Sequence, residues 1–154
     1  MKVSGVPVNA APGARRPRRK PGENRASLLE AGVIEFARYG YAATQTSAIA
    51  KRAGVSQPNV YANFASKEDL FLECLRMSLS KTELSVSASR EGEQLSSVHA
   101  CLLYQAIACL GLREVGEAVR ELILQLLEAI GADSFEATVL QGQAVLLTID
   151  TFEA

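Results

Sequence analysis

The sequence predicts an all-α protein, and three observations carry that expectation. Apolar residues recur at helical spacing along most of residues 24–152, and no stretch alternates apolar and polar residues as a half-buried strand would. Ala, Leu and Glu, all strong helix formers, dominate the C-terminal half. Gly and Pro punctuate the pattern, so it divides into short helices rather than one long one. With 154 residues and 48% hydrophobic content, the chain is long enough for one domain or two small ones with a buried core. The three cysteines are odd in number and lack C-x-x-C spacing, which fits a reduced, cytoplasmic setting. The apolar run Ala144–Ile149 falls far short of the roughly 20 residues that span a bilayer, and no segment is long and apolar enough to do so, so no membrane partner is expected.

Residues 1–23 are rich in Pro, Gly and Ala without an apolar period, and read as a disordered arm. Its basic run includes Arg18, Arg19 and Lys20, charges suited to lying along phosphates. A first helix over 24–39 is marked by Leu28, Leu29, Val33, Phe36 and Ala37 and stopped by Gly40. Thr44 then stands where it can N-cap a second helix, in which Ile49, Ala50 and Ala53 form a narrow apolar face. Gly54 suits the left-handed residue at a helix end, Ser56 suits the next N-cap, and Pro58 suits a first turn. Val60 and Phe64 point inward from that third helix. Helix, sharp turn and helix, with Gly in the turn, is the helix-turn-helix, whose second helix lies in the DNA major groove. The outward residues support that reading. Gln57 and Asn59 carry amides that match adenine edges, while Ser56, Pro58 and Asn63 share their face. Thr46, Tyr61 and Lys67 are placed to hold phosphates, and Thr44 is counted with them among the DNA-binding residues.

Ser66-x-x-Asp69 is a capping box that opens a further helix, with Leu70, Phe71, Cys74, Leu75 and Leu79 along its buried side. Residues 85–97 are polar and read as weak helix or loop. Val98–Leu110, Glu114–Ile130 and Ser134–Phe152 read as three more helices, with Gly131 between the last two. The last two are apolar nearly all round, so they predict a symmetric dimer joined by a four-helix bundle. Leu122, Leu126, Val139, Gly142, Val145, Leu146 and Ile149 are its expected contacts. The inner faces of the middle helices offer Cys74, Leu75, Leu102 and Ile107, with Tyr104 and Gln105 as polar groups, to a small apolar or amphipathic ligand. Ser78-x-x-Lys81 matches a serine-hydrolase pattern without the motifs that accompany it. The single histidine, His99, has no Ser, Cys or Asp partner in motif context, and with Cys101 at i+2 it makes no metal pair. No metal site, cofactor or catalytic residue is expected, and the chain is not read as an enzyme.

Charge is sharply graded. Residues 1–25 hold seven cations against one anion and residues 26–81 six against five, whereas residues 82–154 hold three against eleven, for a net −1. One end attracts polyanions and the other repels them.

Several residues together carry a family resemblance: Phe36, Gly40-Tyr41, Ile49-Ala50, Ala53-Gly54-Val55-Ser56, Tyr61-x-x-Phe64 and Ser66-Lys67-Glu68-Asp69-Leu70. Over Arg25–Leu72 the chain resembles the DNA-binding headpiece of TetR/AcrR-family bacterial transcriptional regulators. The resemblance implies a three-helix headpiece over 24–72 and a helical effector-binding and dimerisation domain over 73–154, shorter than usual, with what is missing lying between residues 80 and 100. It implies a homodimeric repressor of a double-stranded DNA operator, released by a small ligand. The alternatives are a ligand-independent DNA-binding dimer with a degenerate effector domain and, in a different class, a helical interaction module or an enzyme without recognisable motif.

Overall fold

A computed structural model of the chain describes residues 22–88 and 97–148. These form seven helices in the order α1 Glu23–Ala43, α2 Thr46–Ala53, α3 Gln57–Asn63, α4 Lys67–Ala88, α5 Ser97–Ile107, α6 Gly116–Ile130 and α7 Ala132–Leu147. No strand occurs among the described residues. The arm with Arg18, Arg19 and Lys20, and Ile149, lie outside them.

Helices α1 to α3 form the headpiece. Leu28, Phe36, Ile49, Val60 and Phe64 fill its interior, each 2% exposed or less. The stop expected at Gly40 is a kink: Gly40 adopts φ 74°, ψ 172°, and helical turns resume on its far side to Ala43. Only a residue without a Cβ tolerates that backbone readily. Phe36 and Tyr41, on either side of the kink, both meet Phe71 of α4 with ring centroids 5.0 Å apart. Edge-on and tilted ring pairs of this kind add to the burial of their area. Arg52 of α2 reaches the largely buried Glu35 carboxylate of α1 at 2.6 Å.

Helix α4 leaves the headpiece and continues as one side of the C-terminal half. It begins as the capping box predicts, the Asp69 N–H donating to Ser66 Oγ at 3.1 Å. The Asp69 carboxylate turns back to the Ala65 N–H. Its far end runs to Ala88, so the weak segment expected at residue 85 is helical for its first turn. The C-terminal half packs α5 between α1, α4 and α7, with α6 against α4. The buried core is continuous from Leu28 to Leu126. The 72/73 boundary falls inside α4, so the two parts of the chain share a helix.

Several expected interface and pocket residues are occupied within the chain itself. Gly142, expected at a dimer contact, lets α7 close on α5: a Cβ there would run into the Ala100 carbonyl, whose carbon would lie 2.6 Å away. Leu126 is 3% exposed in the chain's own core, and Leu122, Val139, Val145 and Leu146 pack partly against it. Cys74, Leu75 and Leu102 are fully buried by packing, and Ile107 lies partly buried beside them.

One side-chain pair had no counterpart in the sequence reading. Ser78 and His99, 21 residues apart, meet at 2.9 Å between Ser78 Oγ and His99 Nδ1. Both are buried, so the pair joins α4 to α5 and faces no substrate. Lys81 of the hydrolase-like pattern is exposed instead. Burial, helped by the Lys81 charge, pushes the His99 pKa down to about 4. The neutral imidazole is therefore the form the fold accepts.

Two outcomes follow. Gly142→Ala should destabilise the protein by about 2–3 kcal/mol, because its methyl meets backbone that cannot rotate away, and urea denaturation would measure it. Because the folded His99 pKa lies below the unfolded value near 6.5, its contribution is present above about pH 6.5 and lost as pH falls towards 4. Denaturation of wild type and His99→Asn between pH 7 and 4 should show their difference in stability shrinking by up to about 3 kcal/mol on acidification.

Candidate nucleic-acid interface

The outward surface of α2 and α3 is set by the turn between them. Gly54 is left-handed at φ 68°, its N–H bonding back to the Ala50 and Lys51 carbonyls. The Val55 N–H reaches the Ala50 carbonyl at 3.0 Å, so the last carbonyls of α2 are satisfied and the chain reverses within three residues. Ser56 then takes the N-cap position of α3 and Pro58 its first turn, as the sequence predicts. The Ser56 hydroxyl does not cap the backbone, however. It accepts from Asn59 Nδ2 at 2.8 Å.

Helix α3 thereby presents Gln57, Pro58 and Tyr61 to solvent, with Asn59 and Asn63 half-exposed. Asn63 folds its amide onto the Asn59 carbonyl at 2.7 Å. Tyr61, 54% exposed, directs its hydroxyl to Thr46 Oγ1 at 3.2 Å. The Gln57 amide approaches the same oxygen at 3.5 Å. Thr46 is buried beneath them and acts as the hub that orients two exposed polar side chains.

A groove runs from this cluster to the start of α4, lined by Ala42, Ala43, Thr44, Gln45, Thr46, Ser47, Gln57, Tyr61 and Lys67. Lys67 borders it, with its ammonium 4.7 Å from the centre of the Tyr41 ring and 3.4 Å from the Ala42 carbonyl. The Tyr41 hydroxyl in turn donates to Glu68 at 3.1 Å. Burial, with the Glu68 carboxylate beside it, pushes the Tyr41 phenol up to about 12, so it stays a neutral donor. The groove thus offers one cation, hydroxyls and amides on a rigid frame. That set suits a phosphate-bearing strand, with the exposed face of α3 alongside it.

Thr44 requires a correction. It is the residue that closes α1, not the N-cap of α2, a position taken by Gln45. Its hydroxyl donates to the Gly40 carbonyl at 2.7 Å and lies 3.1 Å from the Glu35 carbonyl, and only 3% of the residue is exposed. The side chain stabilises the exit from the kink and is not free for a ligand. The sequence reading missed Gln45 and Ser47, both exposed at the start of α2 beside the groove. Their position next to Thr46 at a helix start was the available signal.

A two-helix unit of this geometry with a polar, exposed second helix defines the class: a helix-turn-helix protein. Residues 28–74 match the family described as "Bacterial regulatory proteins, tetR family". That match runs from α1 into the first part of α4, and over this stretch the chain is similar to that family. It is 31% identical over 94 residues to the HTH-type transcriptional regulator AcrR of Shigella flexneri, covering 59% of this chain and 44% of that one. It is 45% identical over 67 residues to the HTH-type transcriptional activator FasR of Mycolicibacterium smegmatis, covering 43% of this chain and 31% of that one. The chain thus spans less than half the length of these curated relatives. A crystal structure of a transcriptional regulator from Rhodococcus sp. Rha1 shares the fold, with a TM-score of 0.58 at 18% identity, covering 82% of this chain and 86% of that one.

Base reading and phosphate holding should separate on mutation. Gln57→Ala should relax preference at one base-pair position, a loss of about 1–3 kcal/mol of discrimination there. Lys67→Ala should weaken binding to all duplexes by a similar factor and flatten the dependence of log K on log[salt] by about 0.9. Titration of both variants against selected and random duplexes at several salt concentrations measures each effect.

Proposed function

We propose that this chain is a sequence-specific, homodimeric DNA-binding regulator of transcription. The observation that carries the reading is the α2–turn–α3 unit, with Gln57 and Asn59 on the outer side of α3 and the Thr46–Tyr61–Lys67 groove beside it. Helix α3 would enter the major groove, Gln57 and Asn59 would read base edges, and Tyr61 and Lys67 would hold phosphate. The basic arm, with Arg18, Arg19 and Lys20, would add salt-dependent affinity that the headpiece alone lacks.

Dimerisation would use surface that the fold leaves apolar. Leu124 of α6 is 56% exposed, and Leu140 and Leu147 of α7 are 55% and 82% exposed. Leu140, Ala144 and Leu147 lie along one side of α7, with all three exposed. This stripe replaces Gly142 and Leu126 as the centre of the expected interface. Repression needs only occupancy of a site that other proteins must use, and it is the direction favoured here. That FasR is an activator shows that relatives differ in direction. A cytoplasmic location is consistent with three buried free cysteines and with the absence, among the described residues, of any helix long and apolar enough to cross a membrane.

Release by a small amphipathic molecule is the regulatory reading. A cleft of about 280 Å³ opens between α4 and α6, with Leu79, Leu122 and Leu126 apolar and Arg76, Ser80, Glu83 and Gln125 polar. None of the six residues named from the sequence lines it. Occupancy would act only by favouring one setting of α4 over another, because a ligand with equal affinity for both shifts nothing. The full burial of Cys74, Leu75 and Leu102 favours the second reading, a ligand-independent dimer.

Selection of duplexes from a random pool by the purified protein tests the function. A two-fold symmetric site with half-sites about 34–36 Å apart is expected. Leu140→Glu and Leu147→Arg should sediment as monomers and bind that site more weakly. Enrichment of no sequence, or a wild-type monomer at micromolar concentration, would refute the proposal.

A further inference from the structure

Helix α1 is interrupted at Gly40, yet the groups the interruption frees are taken up by the other half of the chain. In an unbroken helix the Tyr41 N–H would bond to the carbonyl of Ala37, four residues back. Gly40, at φ 74° and ψ 172°, turns the chain out of that path. The Ala37 carbonyl instead accepts from Gln105 Nε2 of α5 at 3.4 Å. The Tyr41 N–H lies beside the Cys109 sulfur in the turn after α5, where it partly offsets the upward push of burial on that thiol. Cys109 donates its own proton to the Gln105 carbonyl at 3.4 Å, so the two replacement partners are tied to each other.

The spacing explains why one short segment serves both ends of the missing rung. Gln105 and Cys109 are four residues apart and lie on the same side of their helical turn, as Ala37 and Tyr41 did before the kink separated them. The fit is close. A Cβ on Gly40 would stand 3.1 Å from Gln105 Oε1, so the amide is seated against the bare α-carbon. Cys109 is 4% exposed and Gln105 half-buried, which makes an unmade bond costly at either end.

What the clasp holds is the exit of α1 towards the groove. Immediately beyond Tyr41 come Ala42, whose carbonyl meets Lys67, and Thr44, which leads into Gln45 and Thr46. We propose that Gln105 and Cys109 are positioning residues for the reading head. They replace the opened Ala37–Tyr41 rung and thereby fix the angle at which the headpiece leaves the C-terminal half. This rests on the DNA-binding reading of the groove, but the clasp itself can be tested without DNA. In a dimer, that angle sets the separation of the two heads, and so the half-site spacing the protein accepts. Base preference, which belongs to α3, should be independent of it.

The test uses the full chain with Cys109→Ala, Cys109→Ser and Gln105→Met, each checked for an intact fold by thermal unfolding. Native-state hydrogen exchange should show the Tyr41 amide exchanging roughly fivefold faster in Cys109→Ala. Cys109→Ser, whose hydroxyl still accepts, should restore wild-type protection. Gln105→Met keeps the side chain's length without its donor and should raise exchange around the kink. Duplexes from the selection, rebuilt with the half-sites one base pair closer or further apart, then test the role. Wild type should prefer one spacing by about tenfold or more, and Cys109→Ala and Gln105→Met should lose most of that preference while keeping the same preferred bases. Unchanged Tyr41 exchange in Cys109→Ala overturns the clasp. Altered exchange with wild-type spacing preference overturns the positioning role alone, and wild-type protein that selects no duplex overturns the reading of the groove on which the role depends.

Discussion

The packing of Phe71 against Phe36 and Tyr41 is the joint on which the rest of the molecule depends. It buries one large ring from α4 between two from α1, on either side of the Gly40 kink. Were α1 straight beyond Gly40, Tyr41 could not turn back to the same ring. The kink, the aromatic contact and the capping box of α4 therefore enforce one another. Together they place the start of α4, with Lys67 and Glu68, beside the end of α1 and make one edge of the groove.

Because α4 belongs to both parts of the chain, the headpiece is not an independent bead on a string. Its apolar side, from Leu70 to Leu79, faces α1 first and then α5 and α6. The core is continuous across the nominal boundary, and the Ser78–His99 pair pins α4 to α5. A displacement of α4 must therefore be matched by its neighbours, since close-packed interiors transmit strain rather than absorb it. The α4–α6 cleft lies along this same helix, between Arg76 and Glu83, at the end away from the groove.

Part of the exposed face of α3 is held in place from beneath. Two of its polar side chains converge on Thr46, whose own position is set by the packing of α2. Surface amides and hydroxyls usually sample many rotamers, and ordering them on binding is unfavourable. Here part of that ordering is already done by a buried hydroxyl, which holds the Gln57 and Tyr61 side chains before any partner arrives.

The sequence by itself determined the helices, their turns and the outward polar face of α3. Gly54, Ser56 and Pro58 act within a few residues of themselves, so their meaning is local and legible, and Val60 and Phe64 follow from helical period. The ends of elements were less legible. Thr44 has the chemistry of an N-cap, but the kink before it offered the Gly40 and Glu35 carbonyls, and those contacts won. What only the tertiary structure decided was which faces of the C-terminal helices meet. A helix apolar nearly all round does not say whether a given Leu meets its own chain or a second copy. Close approach of α7 to α5 at Gly142 turned Val145 and Leu146 partly inward and left Leu140 and Leu147 out. The meetings of Gln105 with Ala37 and of Ser78 with His99 join residues 68 and 21 positions apart. No local rule reads such pairs, because they exist only once the packing of whole helices has brought them together.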